Sequence, residues 1–217
     1  MIGALLFDFD GVIANSSDRH LNAWKMVLPP LGVEPVDLVL RRHEGEPAWR
    51  IAQAMCAHGG LEIDEREARR LGAEKNIHFR RETTPSVYPG VAEILDFAAR
   101  SGIRTAVVTG TSRENLLHIL GERCDRFDAL FCDGDFARPK PYPDPYLTAM
   151  RYFDLAPERC VVIENAPMGI RAAKAAGLYC IALETTLPSG ELQQADLILP
   201  GHAALLQWLE QRQKSLD

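Results

Sequence analysis

The sequence predicts an α/β fold, a doubly wound parallel sheet interrupted early by a block of helices. Three observations predict it. Short apolar, β-branched runs alternate with helix-period segments from Tyr88 to Leu199, the pattern of successive βα units. Ala4 to Phe7 opens the chain as an apolar run, as expected of a strand buried on both faces. Between these regions, from Ser17 to about Thr84, the patterning is helical and no convincing strand occurs.

The first strand ends in Asp8 and Asp10, which project to the same side of an extended chain. Two such carboxylates repel each other, and burying them without a cation is costly. A hard divalent ion relieves this, and oxygen ligands favour Mg2+ or Ca2+ over Zn2+. Gly11 then lets the backbone turn away. By themselves Asp and Gly also make an ordinary polar turn.

Asp18 is placed to cap a helix carrying His20, Ala23, Trp24 and Val27, which stops at Pro29-Pro30. Pro35 opens a second helix with Val36, Leu38, Val39 and Leu40. A third runs from Trp49 to Ala57 and ends at Gly59-Gly60. The fourth, about Asp64 to Arg81, is charged, with a thin apolar stripe of Ala68, Leu71 and Ile77. These helices predict a helical subdomain over residues 15–84, inserted into a core formed by residues 1–14 and 85–217.

Pro89-Gly90 starts a helix through Ile94, Leu95 and Phe97 that closes near Gly102. Thr105 to Val108 is a strand, followed by Thr109-Gly110-Thr111-Ser112 and a helix with Leu116, Leu117 and Leu120. Ala129 to Cys132 forms a strand and Asp144 to Phe153 a helix. Cys160 to Ile163 is a strand, and Ile170 to Ala176 a helix of small residues ending at Gly177. Leu178 to Leu183 and Asp196 to Leu199 complete the strands. In such sheets ligands bind at the carboxyl ends of the strands. Asp8, Asp10, Thr109, Ser112, Glu164 and Asn165 should therefore share one crevice.

Composition narrows the function. At 217 residues the chain can bury a substantial core. A net charge of -6 opposes a broad nucleic-acid or anionic-membrane surface. The five cysteines show no C-x-x-C spacing, so reduced thiols in a cytoplasmic protein are expected. No stretch reaches the length of a membrane span.

The strand-end residues suit phosphoryl transfer. Asp8 can act as a nucleophile and form an aspartyl-phosphate. Asp10 can protonate a leaving oxygen and later deprotonate the attacking water. Thr109 offers a hydroxyl, and the adjacent backbone N–H of Gly110 adds a donor at a helix start. Lys140, in the stiff run Arg138-Pro139-Lys140-Pro141, supplies an ammonium group that balances carboxylates and phosphoryl oxygens. Glu164 and Asn165 would complete a Mg2+ shell.

Four stretches carry a resemblance. Asp8-Phe9-Asp10-Gly11-Val12, the strand end Val107-Val108-Thr109-Gly110-Thr111-Ser112, and Lys140-Pro141 are followed by a long fourth stretch. That stretch has Val162-Ile163-Glu164-Asn165-Ala166-Pro167, Gly169-Ile170, Ala172-Ala173 and Ala176-Gly177. In order, they resemble the four motifs of the haloacid dehalogenase-like hydrolases, whose core is Rossmann-like. The insert is similar to the cap of the β-phosphoglucomutase-like and phosphoglycolate phosphatase-like branch. The resemblance implies Asp8 as nucleophile, Asp10 as acid/base, and Thr109 and Lys140 holding the phosphoryl group. It also implies Mg2+ bound by the Asp8 carboxylate, the Asp10 backbone carbonyl and the acidic end of the fourth motif. True dehalogenases of the superfamily lack the second Asp of the first motif, so Asp10 favours phosphate over halide.

One position departs from the pattern. The fourth motif commonly reads Glu-Asp and here reads Glu164-Asn165, an amide ligand without charge. Active phosphatases resembling this one also carry Asn there, including members acting on inorganic pyrophosphate. His43-Glu44-Gly45 is similar to the matching stretch of that type, and Glu44 is placed either to bond a metal-bound water or leaving group, or as a solvated helix-end carboxylate. His20 and Trp24 recur on the first cap helix, as substrate contact or packing pair. Arg50, Lys75, His78, Arg80 and Arg81 are basic candidates against a plainer reading as solvated charges, and Ser112 is a donor or a helix N-cap.

The sequence thus predicts a Mg2+-dependent phosphohydrolase acting on a small phosphorylated metabolite or pyrophosphate, as a monomer or homodimer. A phosphosugar mutase is the alternative, but where its cap carries a key Arg this chain reads Glu46-Pro47-Ala48. A non-catalytic phosphate-binding regulatory protein is favoured only by Asn165.

Overall fold

The computed structural model describes residues 1–82, 84 and 86–214. Residue 85, the expected start of the returning core, and its last residues 215–217 lie outside the described residues. The chain begins with β1 (Ala4–Phe7) and then leaves the sheet for α1 (Ser17–Val27), α2 (Asp37–Arg42), α3 (Ala48–His58) and α4 (Glu65–Glu82). It returns through α5 (Val91–Arg100), β2 (Arg104–Val108), α6 (Arg113–Leu120), β3 (Ala129–Phe131) and α7 (Asp144–Tyr152). It ends with β4 (Cys160–Glu164), α8 (Pro167–Ala175), β5 (Tyr179–Leu183), β6 (Leu197–Leu199) and α9 (His202–Lys214).

The strands form one parallel sheet in the order β3-β2-β1-β4-β5-β6. β1 lies between β2 and β4, with Phe7 level with Val107 on one side and Ile163 on the other. That register brings Asp8, Thr109 and Glu164, each at or just past a strand end, to one edge. The order also reverses direction at β1, which opens the crevice where such sheets bind ligands.

Alternation along the strands supplies the two faces. Leu5, Phe7, Val107, Ile163 and Ile181 pack on one face with residues of α5, α6 and α9. Leu6, Ala106, Val108, Val162 and Cys180 pack on the other with α7 and α8. Each such fully buried Leu, Ile or Phe is worth about 1.5–3 kcal/mol of transfer free energy. The helices of the insert hold their own core, centred on Trp24, Leu28, Leu40, Met55 and Leu71.

The elements differ from expectation in details with clear causes. Asp18 lies inside the first turn of α1, and Ser16 takes the N-cap position while turning its hydroxyl to Asp10. Asp64 caps α4 by accepting from the Glu67 N–H at 2.8 Å. The expected elements end at Leu199, and the structure adds α9 beyond it. Its Leu205 and Leu209 are fully buried, and Leu206 and Trp208 pack partly buried against the same core. All five cysteines are free thiols, and no described helix is long and apolar enough to cross a membrane.

Candidate active site

At the carboxyl edge of β1 and β4 lies a buried ionic triad. Lys140 Nζ donates to Asp8 Oδ1 and to Glu164 Oε1, each at 2.6 Å, and all three side chains are fully buried. Tyr146 from α7 donates its hydroxyl to the same Glu164 oxygen at 2.6 Å, and the Asn165 and Ala166 N–H groups donate to Glu164 Oε2. Gly169 makes this arrangement possible, since a Cβ there would fall 1.7 Å from Glu164 Oε1. Removing one member of such a buried pair strands the other and costs about 3–5 kcal/mol. Burial raises Asp8 above the usual carboxylate range, with Lys140 opposing it and Glu164 and Asp10 adding to it. Burial would lower Lys140, but the charges of Asp8 and Glu164 outweigh it and hold the amine protonated.

Asp10 is braced on both oxygens. Ser16 Oγ and His20 Nε2 donate to Oδ1 at 2.5 and 2.8 Å, and Thr111 Oγ1 donates to Oδ2. Burial works against the Asp10 charge, but His20, Ser16 and Thr111 outweigh it and leave the carboxyl below its usual range. His20 stacks on Phe79 with ring centroids 4.0 Å apart, and its Nδ1 faces Lys75 Nζ at 2.5 Å. An ammonium only donates and a carboxylate only accepts. With Lys75 charged, the network therefore assigns a neutral His20 that accepts at Nδ1 and donates at Nε2. The His20 pKa is lowered accordingly by burial and by Lys75, and burial pushes Lys75 down to about 7.

The loop between α2 and α3 closes the site from above. Asn165 Nδ2 donates to Glu44 Oε2 at 2.7 Å and to Thr186 Oγ1 at 2.8 Å, and Thr186 Oγ1 donates to Glu44 Oε2 at 3.1 Å. The Gly110 N–H donates to the Gly45 carbonyl at 3.0 Å. Thr109 is buried and its hydroxyl accepts from the Thr111 N–H at 3.0 Å. Burial pushes the Glu44 carboxyl up to about 8, against its hydrogen bonds.

Three buried oxygens here have no hydrogen-bond partner: Asp8 Oδ2, Glu44 Oε1 and Asn165 Oδ1. Buried acceptors are rarely left unpaired, and an all-oxygen set of this kind fits a hard cation. Among the described residues no three His, Cys, Asp or Glu side chains form a metal-holding group, so a cation here would also draw on amide and carbonyl oxygens. Glu164, expected in the metal shell, instead has both oxygens committed to Lys140, Tyr146 and backbone amides.

Asp8, Asp10, His20, Glu44, Thr109, Gly110, Lys140, Glu164 and Asn165 meet at this edge. Lys75 is a buried member of the Asp10 network, not a solvated charge. Arg80 instead bonds Asn115, and Ser112 accepts from the Asn115 N–H as the N-cap of α6. Ser16, Thr111, Tyr146 and Thr186 were not foreseen. Thr111, two residues beyond Thr109, carried a local signal, whereas Tyr146 and Thr186 reach the site only through the fold. A cavity of about 210 Å³ opens beside Asp10, bordered by Glu46, Trp49, Arg69, Asn76, Ser112 and Asp133.

A parallel sheet with buried carboxylates at the carboxyl edge of the central strand, beside a helical insert, defines a class of doubly wound α/β proteins with an inserted helical unit. The chain belongs to the haloacid dehalogenase-like hydrolases, whose family model matches residues 2–177, and it is an enzyme of their phosphatase class. It is 33% identical to validoxylamine A 7'-phosphate phosphatase of Streptomyces hygroscopicus subsp. limoneus, with 92% of this chain and 93% of that one covered. It is also 33% identical to the fructose-1-phosphate phosphatase YqaB of Escherichia coli, covering 82% and 94%. The crystal structure of β-phosphoglucomutase from Clostridium difficile superposes with a TM-score of 0.86 over 100% of this chain and 99% of that one, at 22% identity. That likeness speaks to the fold alone.

Glu44 yields a test of the buried network. Unfolded, its carboxyl titrates near 4.5, and folded near 8. Between these values the folded chain keeps a proton that the unfolded chain has released, so this group's stability contribution is complete below 4.5 and lost as pH rises through 8. Glu44→Gln carries no such proton. In metal-free buffer its melting temperature should match the wild type near pH 5 and exceed it by several degrees near pH 9; parallel pH curves for the two proteins would contradict this.

Proposed function

We propose that the protein is a Mg2+-dependent phosphohydrolase that works through an aspartyl-phosphate on Asp8, with residues 15–84 acting as a cap over a core of residues 1–14 and 85–217. The observation that carries the reading is the pairing at Asp8. One oxygen is fixed by Lys140, the other is buried without a partner, and a second, braced carboxylate lies two residues on. Small phosphorylated metabolites fit the phosphatases the chain is similar to, and pyrophosphate remains in the substrate class through Glu44.

Asp8 attacks phosphorus in line, and the bond to the leaving oxygen breaks as the carboxyl–phosphorus bond forms. Asp10 protonates that oxygen. Held ionised by His20, Ser16 and Thr111 in the substrate-free site, it takes up this proton from a phosphate ester bound as its monoanion. It then removes a proton from the water that cleaves the aspartyl-phosphate. Lys140 and the Thr109 hydroxyl hold phosphoryl oxygens, and the Gly110 amide joins them once it exchanges the Gly45 carbonyl for substrate. Glu164 and Tyr146 orient Lys140. His20, with both ring nitrogens engaged, orients Asp10 and borders the leaving group. Asp8, Asn165 and the Asp10 backbone carbonyl would hold Mg2+, with Glu44 beside them. When bound, that ion offsets charge on the transferring group.

The stretch where a mutase cap carries its key Arg reads Glu46-Pro47-Ala48 here, and this favours hydrolysis. Turnover of p-nitrophenyl phosphate should require Mg2+. It should fall at least about a thousandfold in Asp8→Asn and about a hundredfold or more in Asp10→Ala. Borohydride quenching during turnover should mark Asp8 alone. Retained turnover in both variants would overturn the proposal.

A further inference from the structure

The last helix lies outside the stretch that the family model matches, residues 2–177, yet its first residue reaches the catalytic loop. His202 is 7% exposed, and its Nε2 donates to the Val12 carbonyl at 2.6 Å. The carbonyl only accepts, so the proton is on Nε2. The same ring stacks on Tyr88, with centroids 5.1 Å apart and planes inclined by 22°.

Val12 and Tyr88 belong to the two chain crossings that join sheet and insert. The outgoing crossing follows Asp8 and Asp10, and Ala14 pairs there with Asp10 and with Val87 of the returning one. The Asn15 N–H donates to the Ser86 carbonyl at 3.0 Å, and the Tyr88 N–H to the Ile13 carbonyl at 2.9 Å. His202 is in contact with both crossings at once. Gly90 makes room for it: its φ is +90°, and a Cβ there would lie 2.8 Å from His202 Cβ. One residue earlier on the loop, the Gly11 carbonyl accepts from Thr185 Oγ1 at 2.6 Å. The turn that sets Asp10 is thus tied at two consecutive carbonyls by residues from the far end of the chain.

We propose that His202 is a positioning residue for the reaction: its hydrogen bond to Val12 fixes the loop that aims Asp8 and Asp10. The reaction part rests on the phosphohydrolase reading; the hydrogen bond's grip on the loop does not. A small displacement of reacting groups is enough to cost a large factor in rate. Substrate binding, which depends on Lys140, Thr109 and the insert, is spared.

The test compares His202→Phe, which keeps a ring and loses the donor, with His202→Gln, whose amide nitrogen replaces Nε2. Two readouts are taken: kcat and KM for p-nitrophenyl phosphate with Mg2+, and amide hydrogen exchange along the chain. The Phe variant should lose kcat by about tenfold or more, with KM within about twofold. Its exchange should accelerate in residues 9–14 and 86–90 selectively. The Gln variant should keep both within about threefold of the wild type. Unchanged kcat and exchange in the Phe variant would overturn the proposal. So would equal losses in both variants, or exchange accelerated evenly over the sheet, which marks a merely structural role. If the Phe variant does not fold, a folded Gln variant decides alone, since a tenfold loss of kcat there also overturns it. If the wild type turns over no aryl phosphate, the functional reading fails, and exchange by itself decides whether His202 holds the loop.

Discussion

The structure depends on one buried contact, the ammonium of Lys140 set between Asp8 and Glu164. Two carboxylates drawn out of water onto neighbouring strands repel each other, and a fixed cation between them removes most of that cost. The rest of the local architecture serves this contact. Parallel register places Phe7 beside Ile163, which sets Asp8 opposite Glu164. Gly169 leaves space for the glutamate, and the Tyr146 hydroxyl saturates it. Asp8 is left with one oxygen bonded to Lys140 and the other buried without a partner.

The insert completes the charge balance. Lys75 from α4 reaches Asp10 through His20, and Glu44 from the loop after α2 reaches Asn165. This gives a physical reason for an amide at 165. Its Nδ2 donates to Glu44 at 2.7 Å, whereas an aspartate there would set two carboxylates against each other in a buried place.

Most of the fold was legible because its strands are apolar runs ending in polar residues. A run such as Ala4–Phe7 followed by Asp8 and Asp10 states both the strand and its edge. The helices of the insert were marked by prolines and glycines, Pro29-Pro30 and Gly59-Gly60. The candidate site was legible where its residues sit next to a strand end, at Asp8, Asp10, Thr109, Glu164 and Asn165. It was less so where a side chain comes from elsewhere. Lys75 looked like one charge among many on α4, and only packing against His20 distinguishes it. Tyr146, Thr186 and His202 act across 18 to 190 residues of chain. No local pattern records such contacts.

The central claim is that these converging oxygens make a cation site as well as a salt bridge. Thermal unfolding with and without MgCl2 tests it most directly, because an ion that binds only the folded chain raises stability by about 2.7 kcal/mol at a hundred times its dissociation constant. The account predicts a melting temperature that climbs with Mg2+ concentration, a climb abolished by Asp8→Ala and weakened by Asn165→Ala. Melting curves that coincide at every Mg2+ concentration would contradict it.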